Sequence, residues 1–241
     1  KEEKLIVVVS AFSKITDLLQ LASQKAAAGD ESFKEILADL ETKHLDALKE
    51  LIPVSEQSSL LSHIKRIINH LETLLDGCYL LGELSPRTSD TILSFGELLS
   101  SYIIAEALKQ KLKNSSYKDS RELIKTNNSF GKAVVNFDVS NKLIVDFFAS
   151  NENQVVVMPG FIAASLDGIN TTLGRGGSDY TAAILAGALH ANELEIWTDV
   201  NGMFTANPKI VKQAQPIAFI SYQEAMELSH FGAKVLYPPT I

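Results

Sequence analysis

Five consecutive apolar residues, Leu5-Ile6-Val7-Val8-Val9, leave no polar position that could serve as the wet face of a strand. A run of this kind fits a strand buried on both sides, the usual condition of strands in parallel sheets covered by helices. Gln154-Val-Val-Val-Met158 has the same texture, and a weaker helical pattern around residues 143–148 precedes it. Further β-like runs lie at residues 122–126, 132–135 and 193–197. Strands alternating with helices predict an α/β protein, a three-layer α/β/α sandwich around a central, mostly parallel sheet.

Residues 14–113 read as helical. Leu60, Leu61, Ile64, Ile67, Ile68, Leu71, Leu74 and Leu75 recur at three- and four-residue spacing and form one apolar stripe. Ile36, Leu37, Leu40, Leu48, Leu51 and Ile52 form a looser face that ends at Pro53. The two faces predict a helical hairpin between residues 32 and 81. Residues 114–117 and 127–129 read as loops, Asp167-Gly168 as a turn, and residues 222–230 as a helix.

Charge and composition narrow the partners. Lys plus Arg is 22 against 29 Asp plus Glu, a net charge of −7, which opposes a role in neutralising nucleic-acid phosphates. The single cysteine, Cys78, excludes an internal disulfide and a thiolate metal cluster, and it reads as a small buried hydrophobe. No apolar run approaches the ~18 residues of a membrane span, and no signal peptide is visible, so a soluble, cytoplasmic protein is expected. His44, His63, His70, His190 and His230 are scattered without zinc-ligand spacing, and no nucleophile elbow is present.

The densest chemistry lies in Thr171-Thr-Leu-Gly-Arg-Gly-Gly-Ser-Asp-Tyr180. Glycines at positions 174, 176 and 177 permit positive φ and close backbone approach, and Ser178 or Asp179 can cap the helix that follows. The start of that helix is an anion site, and Arg175 adds a planar cation for two-point grip on a carboxylate or phosphate. The spacing matches neither a Walker A loop nor a dinucleotide fingerprint. A strand over residues 193–197 places Thr198 and Asp199 at its carboxyl end, where open α/β sheets bind ligands. Ser10 and Thr16 flank the turn after the first strand, with a helix opening at Asp17. Gly96-Glu97 puts a glycine inside a helix, a position that tolerates close approach.

Together these segments resemble the aspartate kinases of the amino-acid kinase superfamily, which have the carbamate-kinase-like fold. The matching motifs are Val8-Val-Ser-Ala-Phe-Ser-Lys-Ile-Thr-Asp17, Leu80-Leu-Gly-Glu-Leu-Ser-Pro-Arg87 with Ser94-Phe-Gly-Glu97, Thr172 to Tyr180, Glu195-Ile-Trp-Thr-Asp-Val200 and Phe231-Gly-Ala-Lys-Val-Leu236. Their order is the family's, and the wording around Met226 to Gly232 is similar to bifunctional aspartokinase–homoserine dehydrogenases. The resemblance implies transfer of the γ-phosphoryl of ATP, with Mg²⁺, to the side-chain carboxylate of L-aspartate. Ser10, Thr16, Glu97, Arg175 and Ser178 would line the aspartate pocket, Arg175 on the α-carboxylate and Glu97 on the α-ammonium. Asp179 would organise the catalytic centre. Thr198, Asp199, Phe204 and Lys209 would lie along the nucleotide, with Lys234 reaching its phosphates. Mg²⁺ would ride on phosphate oxygens rather than in a carboxylate cage.

The family's opening Lys-Phe-Gly-Gly-Thr-Ser segment is expected to precede this chain, and its paired regulatory domains to follow it. Residues 1–241 then correspond to a kinase catalytic domain incomplete at its N-terminus, with a helical elaboration at about 32–81. Phe204, Asn207, Lys209, Tyr237 and Pro239 stand where the family usually has Tyr, Asp, Arg, His and Arg. The family commonly forms homo-oligomers, dimers or larger. The rival readings are a kinase of glutamate or N-acetylglutamate, and a catalytically silent nucleotide-binding module.

Overall fold

In chain order the first elements are β1 (Leu5–Val9), α1 (Ile15–Ala27), α2 (Phe33–Leu51), α3 (Val54–Leu81), α4 (Pro86–Lys111), β2 (Ser115–Tyr117) and α5 (Ser120–Leu123). They continue as β3 (Lys125–Thr126), α6 (Phe137–Ser150), β4 (Val155–Pro159), β5 (Ile162–Ser165), β6 (Asn170–Thr172), α7 (Gly177–Leu189) and α8 (Tyr222–Phe231). This computed structural model describes residues 4–200, 202–207, 210–231 and 238–241.

The apolar runs behave as their composition requires, with one difference. All of β4 is buried, and it sits at the centre of a parallel sheet between β1 and β2. Its registers are Leu5↔Val155 through Val9↔Pro159 on one side and Ser115↔Val155 through Tyr117↔Val157 on the other. β1 is only half-buried, because among the described residues it pairs with β4 alone and its other edge is open. Alternation along β4 turns Val156 and Met158 toward a core shared with Ile144, Phe148, Ile184 and Leu185 of α6 and α7. The opposite face packs on α4. The sheet is therefore sandwiched between helices, as expected for the α/β class.

A second sheet has the order β3-β5-β6, with β3 parallel and β6 antiparallel to β5. Its hairpin turns at the expected Asp167-Gly168, where Gly168 takes φ +78°. Four local expectations fail in whole or in part. Residues 115–117 are a strand rather than a loop, since the edge of β4 gives these weak β-formers a hydrogen-bonding partner. The run at 122–126 divides into α5, capped by Asp119, and a two-residue β3, while Val135 keeps a single bridge to Thr126 instead of a strand. Residues 193–197 form no strand, and Trp197 is 89% exposed; an alternating Glu-Leu-Glu-Ile-Trp segment with no ladder partner among the described residues has no reason to extend.

The helical stretch builds its own core. Ile64, Ile68, Leu71 and Leu75 of α3 bury against Leu37, Leu40 and Leu48 of α2, Ile15 and Leu19 of α1, and Ile92, Leu99 and Ile103 of α4. Cys78 belongs to this core, as expected, and burial pushes its thiol pKa up. α4 is the one described helix long and apolar enough to cross a membrane by length and composition, which the run-length reading missed. Here Ile92, Phe95, Leu99 and Ile103 lie in the core. Its start is well defined, with Pro86 in the first turn and the Ser85 hydroxyl accepting from the Thr88 N–H at 3.1 Å. Ser85→Ala is expected to cost about 1 kcal/mol and to lower Tm by about 2–4 °C in a thermal melt.

Candidate active site

Glu97 occupies the middle of α4 and is 3% exposed. The preceding Gly96 explains how the turn after β1 comes so close, because a Cβ there would lie 2.9 Å from the Ala11 Cβ and 3.4 Å from Ile15 Cγ2. The Ala11 N–H donates to Glu97 Oε1 at 3.3 Å, and the Ser100 hydroxyl donates to the Ser10 carbonyl at 2.8 Å. Glu97 Oε2 has no hydrogen-bond partner among the described residues. Burial pushes the Glu97 pKa up to about 8, against the smaller opposing effect of the Ala11 N–H. A buried carboxylate oxygen without a donor is costly, and a cationic donor would relieve that cost.

The glycine loop has the conformation its residues allow. Gly174 and Gly176 take φ of +79° and +71°. A Cβ on Gly177 would strike Phe161 Cδ2 at 2.8 Å. Gly176 is the N-cap of α7 and no side-chain cap is present among the described residues, which corrects the expected capping by Ser178 or Asp179; both lie inside the first turn. The helix start is thus left to accept an external anion. Arg175 is exposed and has no ion partner among the described residues. Asp179 is half-buried, and burial raises its pKa.

The two regions meet at the carboxyl ends of β1 and β4. Gly160, the residue after β4, donates its N–H to the Val9 carbonyl at 2.9 Å, and its missing side chain makes room for Ser178. A Cβ on Gly160 would lie 2.6 Å from Ser178 Cβ and 2.7 Å from Ser178 Cα. The Phe161 N–H then donates to the Thr181 hydroxyl at 3.0 Å, fixing α7 to the strand end. Ser10, Glu97 and Ser178 are gathered around adjacent strand ends, the edge where parallel sheets bind ligands. Arg175 and Asp179 belong to the same loop and helix start as Ser178. Thr16 is half-buried in the first turn of α1, which opens at Ile15 rather than at Asp17.

Other expected residues stand apart. With no strand before them, Thr198 and Asp199 are exposed, and the Thr198 hydroxyl donates to Asp199 Oδ1 at 3.2 Å. Phe204 is half-buried and forms a bridge with Pro216. Lys209 and Lys234 lie outside the described residues. Sequence reasoning also overlooked Gly160 and Asp90. Asp90 is 1% exposed and accepts four contacts from Gly131 and Thr172. Its one sequence signal is a position seven residues before Glu97, on the same helix face. A cleft of ≈ 610 Å³ lined by His63, Arg66, Tyr102, Tyr117 and Arg121 opens elsewhere and includes none of the expected site residues. Among the described residues no three His, Cys, Asp or Glu side chains converge as a metal cage.

A family model described as the amino acid kinase family matches residues 1–241. The chain is 35% identical over 240 residues to the bifunctional aspartokinase/homoserine dehydrogenase 2, chloroplastic, of Zea mays, covering 99% of this chain and 26% of the maize protein. It is 35% identical over 238 residues to the lysine-sensitive aspartokinase 3 of Escherichia coli, covering 98% of this chain and 51% of that one. The solved structure of E. coli aspartokinase III in complex with aspartate and ADP matches with a TM-score of 0.88 at 35% identity, over 98% of this chain and 52% of that chain. Clostridium acetobutylicum aspartate kinase matches with a TM-score of 0.71 at 29% identity, over 100% of this chain and 51% of that chain. The chain thus spans between a quarter and about a half of the length of these relatives.

Proposed function

Because the chain belongs to the amino acid kinase family, we propose that it is the catalytic part of an aspartate kinase, moving the γ-phosphoryl of ATP onto the side-chain carboxylate of L-aspartate. The products are 4-phospho-L-aspartate and ADP, the opening step of lysine, threonine and methionine biosynthesis. The observation that carries this reading is the buried Oε2 of Glu97 beside the end of β1, which has no donor among the described residues. An α-ammonium group supplies the missing donor and the opposite charge. Arg175, exposed on the glycine loop and without an ion partner among the described residues, suits the α-carboxylate on the same substrate carbon. Ser10, Thr16 and Ser178 complete the aspartate pocket. The solved relative with aspartate and ADP supports both substrates.

The acceptor carboxylate is ionised at neutral pH, so the protein's task is positioning and charge neutralisation rather than proton removal. The uncapped start of α7 and the glycine loop present N–H groups and Arg175 to anions. Asp179 organises the reacting groups there. Thr198, Asp199, Phe204 and Lys209 are assigned to the nucleotide, and Lys234 to its phosphates. Mg²⁺ fits as an ion carried mainly by phosphate oxygens, where it neutralises charge on the transferred group. The helices α2 and α3 are read as an elaboration on the kinase unit, the oligomer as a homodimer or larger, and the location as cytoplasmic.

The test is ADP release by the full-length protein with L-aspartate, L-glutamate and N-acetyl-L-glutamate in parallel. Turnover with aspartate supports the proposal. N-acetylglutamate has no ammonium for Glu97, so its turnover in place of aspartate overturns the proposal; MgATP binding without turnover of any acceptor favours a silent module. Arg175→Ala is expected to raise the KM for aspartate by about 10- to 150-fold, the loss of one charged hydrogen-bonding partner, with kcat changed far less. An unchanged KM removes Arg175 from the site.

A further inference from the structure

We propose that Asp90 is a positioning residue for the amino-acid substrate, setting the relative placement of Glu97 and the Arg175 loop; this rests on the aspartate kinase reading above. Asp90 lies two helical turns before Glu97 on α4, about 10 Å along the axis. Its carboxylate leaves the helix and grips the other half of the site. Oδ1 and Oδ2 accept from the Gly131 N–H at 2.9 and 3.0 Å. Oδ2 also accepts from the Thr172 N–H at 2.9 Å, and Oδ1 from the Thr172 hydroxyl at 3.0 Å.

Both partners lead straight to the glycine loop. Thr172 ends β6, three residues before Arg175, and its remaining backbone group, the carbonyl, accepts from the Ala133 N–H at 2.9 Å. Gly131, at φ +82°, presents its carbonyl to Gly174, where an added Cβ would come within 3.3 Å. One buried side chain therefore holds the strand end before the loop and the segment against which the loop packs. The helix that carries it also carries the ammonium acceptor. Nothing in this arrangement requires Asp90 to touch a substrate. Its four contacts are all internal, which separates it from Glu97, whose Oε2 has no partner among the described residues.

The charge is secondary to the geometry. Asparagine keeps one carbonyl oxygen for the Gly131 and Thr172 N–H groups and turns its amide toward the Thr172 hydroxyl, while alanine keeps nothing. The experiment is steady-state kinetics on the full-length protein with Asp90→Ala, Asp90→Asn and Thr172→Val, alone and in an Arg175→Ala background, with thermal melts alongside. Asp90→Ala is expected to raise the KM for aspartate by roughly 10-fold, leaving the KM for MgATP within about 2-fold, and Asp90→Asn to recover part of the loss. On the Arg175→Ala background it is expected to add little, because the group it positions is gone. Thr172→Val is close in shape and loses one contact, so it keeps the inference testable should Asp90→Ala fail to fold; it is expected to raise the aspartate KM about 3-fold. The inference is overturned if the variants lower Tm with no selective change in aspartate KM, if both substrates' KM values move together, or if Asp90→Asn behaves as Asp90→Ala. A wild-type protein that does not use aspartate overturns the functional reading and this inference together; a wild type saturable by aspartate, with variants unchanged, overturns this inference alone.

Discussion

Replacing Glu97 with Gln is expected to raise the KM for aspartate by roughly 30- to 1000-fold, the consequence of leaving a bound ammonium beside a buried neutral amide. The same change is expected to stabilise the protein when no substrate is present, and the two effects have one cause. In the folded chain the Glu97 pKa stands at about 8 against an ordinary 4.5, chiefly through burial. Between those values the folded state keeps a proton that the unfolded state has released, so stability falls as pH rises through the window and the full cost is present above 8. Gln has no such cost. The Tm advantage of Glu97→Gln should therefore be absent below 4.5 and grow to its maximum above 8. Thermal melts across that range, with aspartate titrations, check both halves; parallel Tm–pH curves for the two proteins would show that Glu97 is not the strained acid described here.

Gly160→Ala is expected to damage both folding and catalysis without altering any functional group. The new methyl would meet Ser178 Cβ at 2.6 Å and its Cα at 2.7 Å, and the Cα is main chain that no rotamer change can move. The start of α7 must retreat from the end of β4. Overpacking of this kind costs typically 1–3 kcal/mol, sometimes more, and a loop displaced by about 1 Å can lower kcat/KM on the order of 100-fold. Gly187→Ala, in the same helix with no atom of the described residues within 4 Å of the added Cβ, is the control and should be neutral or slightly stabilising. Wild-type melting and activity in Gly160→Ala would contradict the close packing on which the site's geometry depends.

How far the sequence discloses this arrangement depends on the range of the forces involved. The glycine loop was legible because positive φ at Gly174 and Gly176 is a local demand that only a few residue types meet. Gly96 was legible as a point of close approach, since a glycine in a helix interior needs a reason, and Ala11 supplies it, while Glu97 was singled out by the family resemblance. Long-range pairing left weaker marks. Ser115-Ser-Tyr117 has the look of a loop and becomes a strand because β4 offers an edge, while residues 193–197 look like a strand and find no edge among the described residues. Asp90 escaped for a similar reason: its partners lie 41 and 82 residues away, and an aspartate in a helix is ordinarily a solvated group. Cys78, by contrast, needed only its residue type, since a lone cysteine usually behaves as a small buried hydrophobe, and it lies in the helical core.

The placement of Asp90 and Glu97 on one uninterrupted helix constrains how this chain can change over generations. Point substitutions elsewhere on α4 leave their spacing intact, but gain or loss of a single residue between them would swing Glu97 about 100° around the axis, away from the end of β1. A loop could absorb such a change by altering its path. A buried helix tied to Thr172 at one point and to Ala11 at another has no slack to take it up. Insertions and deletions should accumulate in the connections around α4 and be purged from the seven-residue step within it, so the length of that step is a more durable signature of the site than the identity of the residues that fill it.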